Sequence, residues 1–283
     1  MVVIFFSSLH SIASLKTENK TNAENEYMPE SSNSTVAGSL PERPVPKLFE
    51  KILALNQARI GKSGQILLVT NEYLGSPNAT IQTFEKINGV WVEKYTNISG
   101  LVGLSGFAQY NKKKEGDHKT PTGIFYLGPV YTYPQVKVST KMEHWVASKN
   151  DFWIDDVNSK QYNRWVMSDI DPKVNKISRE VMMRDDDKYK YGIAVQYNMD
   201  QVNGKGSVIT VHVLIGNMKG TVGCIAIPQE ELIDIIGWLD PAKYPLLIMG
   251  TEEEFVSKPI SGPVLDKNDK YIWKKEKYAL PAK

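Results

Sequence analysis

The segment TIQTFEKINGVWVEKYT, residues 80–96, does most to narrow the folds open to this chain. Two runs rich in β-branched and aromatic residues meet at Asn88-Gly89, a dipeptide that tolerates the positive φ angles of a two-residue hairpin turn. Further apolar runs of strand length follow the same rule. QILLVTN (65–71), IFYLGPVYTY (124–133), GIAVQYN (192–198) and SVITVHVLI (207–215) read as strands. Helical spacing occurs twice. PKLFEKILALNQ, from Pro46, repeats Leu48, Ile52 and Leu55. PQEELIDIIGWLD (228–240) sets Pro228 at the first helical position, Glu230 and Glu231 in the first turn, and Leu232, Ile235, Ile236 and Leu239 on one face. The predicted class is mainly β with α.

A chain of 283 residues can bury a sizeable core, and 41% hydrophobic with 23% charged residues is the balance of an ordinary globular protein. A formal net charge of +2 argues against nucleic-acid binding, which calls for a concentrated basic face. Residues 1–15 read as a truncated signal sequence: VVIFF is followed by the small-x-small site Ser11-Ile12-Ala13, while the first lysine is Lys16. Residues 16–45, rich in Asn, Ser, Glu and Pro, read as a disordered linker. A folded domain is expected over 46–250, with 135–187 as an inserted or lid segment, and 251–283 as an extended tail.

The chemistry converges on VHVLIGNMKGTVGCIAI, residues 211–227, which holds the chain's one cysteine, Cys224. One cysteine cannot form an intramolecular disulfide, and in an exported protein a lone thiol points to reactivity, against the plainer reading of a packed small hydrophobe. Strand alternation puts Val208, Thr210, His212 and Leu214 on one face and Ile209, Val211, Val213 and Ile215 on the other, which is the better core face. His212 then faces the less apolar side, where the loop GNMKGT can return Cys224. The two side chains could form a thiolate–imidazolium pair, against the reading of His212 as a structural histidine. Gly223 permits close approach of a substrate and leaves the amides of Gly223 and Cys224 to bind an oxyanion. Four histidines (His10, His118, His144, His212) and one cysteine lack metal-ligand spacing, and GNMKGTVG is not a phosphate loop, so neither metal nor cofactor is expected.

TVGCIAI after a strand carrying His212 resembles the signature of the L,D-transpeptidase (YkuD-like) family: histidine, a variable loop, then Ser/Thr-x-Gly-Cys. GLSGFAQYNKKKEGDHKTPTGIFYLG resembles the family's upstream segment, with Lys114, Glu115, Gly116, Asp117, Thr120, Pro121, Gly123 and Phe125 as the matching residues. The resemblance covers about residues 65–250. The chain departs from it at Val222, where most members have histidine, and at Ala226, where many have arginine or asparagine. Turn chemistry alone would also explain the upstream segment, and Arg184, Tyr191 and Tyr197 could contact substrate but are given no catalytic role, against the plainer reading of solvated or packed residues.

The resemblance implies a β-sandwich-like catalytic domain acting on peptidoglycan stem peptides in the periplasm or cell envelope. Cys224 would be the nucleophile, His212 the base and then the acid, the Gly223 and Cys224 amides the oxyanion site, and Thr221 would set the loop or orient the histidine. The acceptor would be a diaminopimelate amine or the lysine of an envelope lipoprotein. The alternatives are an L,D-carboxypeptidase or amidase using water, and a non-catalytic wall-binding protein.

Overall fold

The computed structural model describes residues 44–260 and the strand pair 276–277, so the expected signal sequence, nearly all of the linker and most of the tail lie outside the described residues. Helix α1 (Lys47–Ile60) precedes strands β1 (Gln65–Asn71), β2 (Asn78–Ile87), β3 (Val90–Glu93), β4 (Ile98–Leu101), β5 (Phe107–Ala108), β6 (Thr120–Pro121) and β7 (Gly123–Thr132). The middle of the chain supplies β8 (His144–Val146), β9 (Asp151–Ile154), β10 (Trp165–Met167), β11 (Arg179–Val181) and β12 (Tyr191–Val195). Strands β13 (Thr210–Val213) and β14 (Ile225–Ile227), helix α2 (Gln229–Trp238), β15 (Leu246–Thr251), helix α3 (Glu252–Ser257) and β16 (Glu276–Lys277) complete it.

The main sheet runs β1-β15-β7-β12-β13-β14-β4-β2, and β2 also pairs with β1, so the sheet closes on itself. Closure leaves no open edge along that path. The hairpin between β2 and β3 turns where predicted, with Asn88 at φ 51° and Gly89 at φ 87°. The inward residues of β13, Val211 and Val213, join Ile225 and Ile227 of β14 and Leu232, Ile235 and Ile236 of α2 in the main core. The predicted alternation along β13 therefore holds, because that face buries its branched side chains. A second core lies outside the ring, where Phe49 and Ile52 of α1 and Phe255 of α3 pack on Ile66, Leu68, Leu246 and Ile248.

Three local expectations change. Pro228 is the N-cap residue of α2, not its first helical residue. Leu55 points outward, and Asn56 leaves helical geometry at φ −120°. Its side chain bonds the Ile52 carbonyl and the Ile260 amide, which fixes the end of the described tail onto α1. The segment after Thr251 is helical at first, not extended: the Thr251 hydroxyl accepts the Glu254 amide at 3.2 Å, and Phe255 is wholly buried.

Strands β9, β10 and β11 of the expected inserted segment form a separate sheet with β16, ordered β11-β9-β10-β16. Asp151 is fully buried inside it and accepts from Trp165 Nε1, from Ser148 Oγ and from the Ser148 amide. A buried carboxylate with three donors is satisfied, so it organises the segment without a desolvation cost left open. Trp153 and Trp165 of this sheet pack with Tyr131 of β7 and Tyr189, which ties the segment to the ring.

Candidate active site

Strands β13 and β14 are neighbours and parallel, with Val211 opposite Ile225 and His212 opposite Ala226. A parallel connection must carry the chain back to the starting end of the first strand. This explains the spacing in the sequence. The loop leaves β13 after His212 and returns so that Cys224, just before β14, arrives level with Thr210. Cys224 and His212 therefore lie on the same face, displaced by two residues along neighbouring strands. From a rise of about 3.3 Å per residue and a strand spacing of about 4.8 Å, their Cα atoms are about 8 Å apart.

The returning loop is held by two threonines. Thr221 Oγ1 donates to the Cys224 carbonyl at 2.7 Å and accepts the Gly223 amide at 3.0 Å. Thr120, from the upstream motif, donates to the same carbonyl at 3.1 Å and accepts the Gly103 amide. The Gly223 amide, expected to face an oxyanion, is thus occupied by Thr221. The Cys224 amide takes part in none of these bonds. Gly223 has φ +147°, and a Cβ there would stand 3.0 Å from the Lys119 carbonyl, so no other residue fits without strain. No bond runs from Thr221 to His212.

His212 is fully buried. Its Nδ1 lies 2.9 Å from the Val213 carbonyl, which can only accept, so Nδ1 carries the proton. Nε2 is then the basic nitrogen, and it has no hydrogen-bond partner among the described residues. The Tyr189 ring packs edge-on against the imidazole at 5.5 Å, and its hydroxyl lies 3.2 Å from Glu180. Burial above all, with the Lys188 cation adding to it, lowers the imidazole pKa to about 3.

The Cys224 side chain is 7% exposed, and Sγ donates to the Val208 carbonyl at 3.2 Å. Burial raises the thiol pKa, opposed by Lys188, the Thr210 amide and Lys113. Both shifts favour the uncharged forms, a neutral thiol and a neutral imidazole, over the expected thiolate–imidazolium pair, because both groups are buried. Val208 has φ +53°, a strained conformation for a β-branched residue. The buried Asn163 holds it there, accepting the Val208 amide at 3.0 Å and the Trp153 indole at 3.2 Å while donating to the Tyr197 and Asn198 carbonyls. The segment 135–187 thus supports the carbonyl that accepts the thiol's hydrogen bond.

A small open cavity of about 50 Å³ reaches the thiol, lined near Cys224 by Val208, Ile209, Val222 and Gly223. Its polar wall is Lys113, Glu115, Asp155, Glu180, Lys188 and Ser207, with Asp155 and Glu180 coming from the segment 135–187. Three of these charges are committed, Glu180 to Tyr189 and Arg184. Lys113, 5% exposed, bonds Asp117 at 2.6 Å and the Lys114 carbonyl, and Glu115 accepts from Tyr162 and Ser207. Burial raises the Asp117 carboxyl, but the Lys113 ammonium and the Lys114 and Lys119 amides outweigh it and the net pKa is lowered. Asp155 goes the other way: burial, with Glu180 and Glu115 nearby, raises it, and its Oδ1 is buried without a partner.

Sequence reasoning picked Lys114 of the lysine triplet 112–114, yet Lys114 is exposed and Lys113 is the buried one. Three consecutive lysines carry no signal that separates them. Val208, Asn163 and Lys188 were also not singled out as site residues, since each acts through tertiary contacts. Among the described residues no group of His, Cys, Asp and Glu could hold a metal ion. Arg184 pairs with Asp186, and Tyr191 is buried in the main core.

Residues 77–251 match the model of the L,D-transpeptidase catalytic domain, YkuD. The chain belongs to this family. No curated protein matches this YkuD chain. Among solved structures it is similar to the helical cell shape determining protein Pgp2 from Campylobacter jejuni, at 15% identity and a TM-score of 0.36. That similarity covers 74% of this chain and spans 60% of the Pgp2 chain. The YkuD domain is an L,D-transpeptidase-type catalytic domain. None of its described helices is long and apolar enough to cross a membrane.

Proposed function

We propose that this YkuD domain is a cysteine L,D-transpeptidase that works in the cell envelope on tetrapeptide stems of peptidoglycan. The observation that carries the reading is the imidazole: Nδ1 is fixed as a donor to Val213, and Nε2 is left as an unpartnered base on the face it shares with Cys224. A packed cysteine in a wall-binding protein would need neither that free base nor a cavity at the thiol.

In the first half-reaction the thiol proton leaves its bond to Val208 for His212 Nε2 as Sγ attacks the carbonyl of the diaminopimelate–D-alanine bond. The Cys224 amide donates to the oxyanion. Collapse breaks the C–N bond, D-alanine leaves with the proton from Nε2, and a thioester remains on Cys224. An acceptor amine, from a second diaminopimelate or a lipoprotein lysine, then attacks the thioester. His212 takes the amine's proton and returns it to the departing thiolate. Lys188 and Asp155 supply opposite charges to the cavity wall, which suits a diaminopimelate side chain bearing both an ammonium and a carboxylate.

Incubation of the purified protein with disaccharide tetrapeptides, followed by product analysis, tests the reading. Crosslinked dimers that vanish in Cys224→Ser are expected. Tripeptides alone would mean that water is the acceptor and the protein is an L,D-carboxypeptidase. No conversion would refute the enzyme.

A further inference from the structure

A larger open hollow, about 300 Å³, lies beside the thiol cavity, and Lys113 lines both. We propose that this second hollow binds a neutral, amide-bearing saccharide, the glycan to which the donor peptide is attached. The proposal rests on the transpeptidase reading for the identity of the ligand, but the chemistry of the hollow is independent of it.

Charge comes first. The only lysine in the lining is Lys113, whose ammonium is held by Asp117 and the Lys114 carbonyl, so the hollow sees its methylene stem. The only carboxylate in the lining is Asp200, which is exposed. No free cation is present in the lining to bind a phosphate or a carboxylate, so a neutral ligand fits best.

The aromatic wall comes second. Every residue of β7 is buried except Phe125, which is half-buried. The strand is thus opened at one ring, and that ring faces the hollow. Phe125 and Tyr197 meet edge to face at 5.6 Å, which fixes both rings, and the half-buried Tyr110 adds a third. Rigid aromatic faces pack against the C–H faces of sugar rings at little entropic cost.

The polar groups complete the case. The exposed Gln109 and the half-buried Gln196 line the hollow, and Gln196 Oε1 is a buried acceptor without a partner among the described residues. Native proteins rarely leave such an acceptor unpaired unless water or a ligand supplies the bond. An amide side chain offers both a donor and an acceptor, as sugar hydroxyls and N-acetyl groups require. Distance is also favourable. Three peptide units separate the scissile carbonyl from the sugar, about 10 Å when extended, a span suited to two hollows that share one side chain as a wall.

The experiment compares kcat/KM for a disaccharide tetrapeptide and for the same free tetrapeptide, in the wild type and in Gln109→Ala and Gln196→Ala. Alongside it, chitotetraose is titrated against the intact protein by NMR, reading the glutamine side-chain amides. A preference of about fivefold or more for the disaccharide substrate, carried in KM, is expected, and it should shrink toward one in both variants. Equal values in the wild type overturn the proposal. If neither substrate turns over, the transpeptidase reading fails, and chitotetraose alone decides. Shifts confined to the Gln109 and Gln196 region then support a saccharide site, and no shift there refutes it.

Discussion

The full burial of His212 makes stability fall in mild acid. Its imidazole sits at about 3 in the folded protein against an ordinary value of 6.5. Above 6.5 neither the folded nor the unfolded histidine binds a proton, and the contribution to stability is fully present. Below 6.5 the unfolded chain takes up a proton that the folded protein refuses, so stability is lost as pH falls toward 3. The limiting slope is about 1.4 kcal/mol per pH unit, which gives a loss of roughly 2–3 kcal/mol between about pH 7 and about pH 4.5. Carboxylates also titrate in this range, so the assay is a difference. Urea unfolding of the wild type and of His212→Gln is measured at both pH values. The wild type should lose about 2–3 kcal/mol more than the variant. Equal losses would mean that the imidazole is not held neutral, and the account of a neutral base opposite a neutral thiol would fail.

Further outcomes follow from the loop and the wall of the site. Gly223→Ala forces a side chain into φ +147° beside the Lys119 carbonyl, at about 1–3 kcal/mol of strain. The displaced thiol should acylate on the order of 10²-fold more slowly, read by intact-mass time courses. Lys113→Met strands the Asp117 carboxylate and should cost about 3 kcal/mol in urea unfolding, whereas Lys114→Met at the exposed neighbour should stay within about 0.5 kcal/mol. Asn163→Ala removes the acceptor of the Val208 amide, and kcat should drop about tenfold while circular dichroism confirms a retained fold.

Local patterns made much of this protein readable. The Asn88-Gly89 hairpin, helix α2 and the two faces of β13 follow from turn chemistry and periodicity, which act over a few residues. The His212–Cys224 pairing was legible because a strand, a glycine-bounded loop and a second short strand are consecutive in the chain. The second sheet was not. Strands β9, β10 and β11 are three or four residues long, and β9 is buried throughout, so no alternation marks it. Helix α3 was hidden inside a charged run, although Thr251-x-x-Glu254 is a capping signal that could have found it. The ionisation state was illegible for a different reason. Adjacency suggested an ion pair, but the depth of burial that sets both pKa values is a property of the whole fold. Likewise, the support of Val208 by Asn163 joins residues 45 apart in sequence, and no local pattern announces such a bond.

The most direct measurement is mass spectrometry of the intact protein, and then of its peptides, after exposure to a carbapenem. Carbapenems present a strained acyl carbonyl to the nucleophile and leave a stable adduct. One adduct per chain, mapped to Cys224 and strongly slowed in His212→Ala, is the predicted result. An unmodified protein, an adduct on any other side chain, or unchanged kinetics without the imidazole would contradict the central claim.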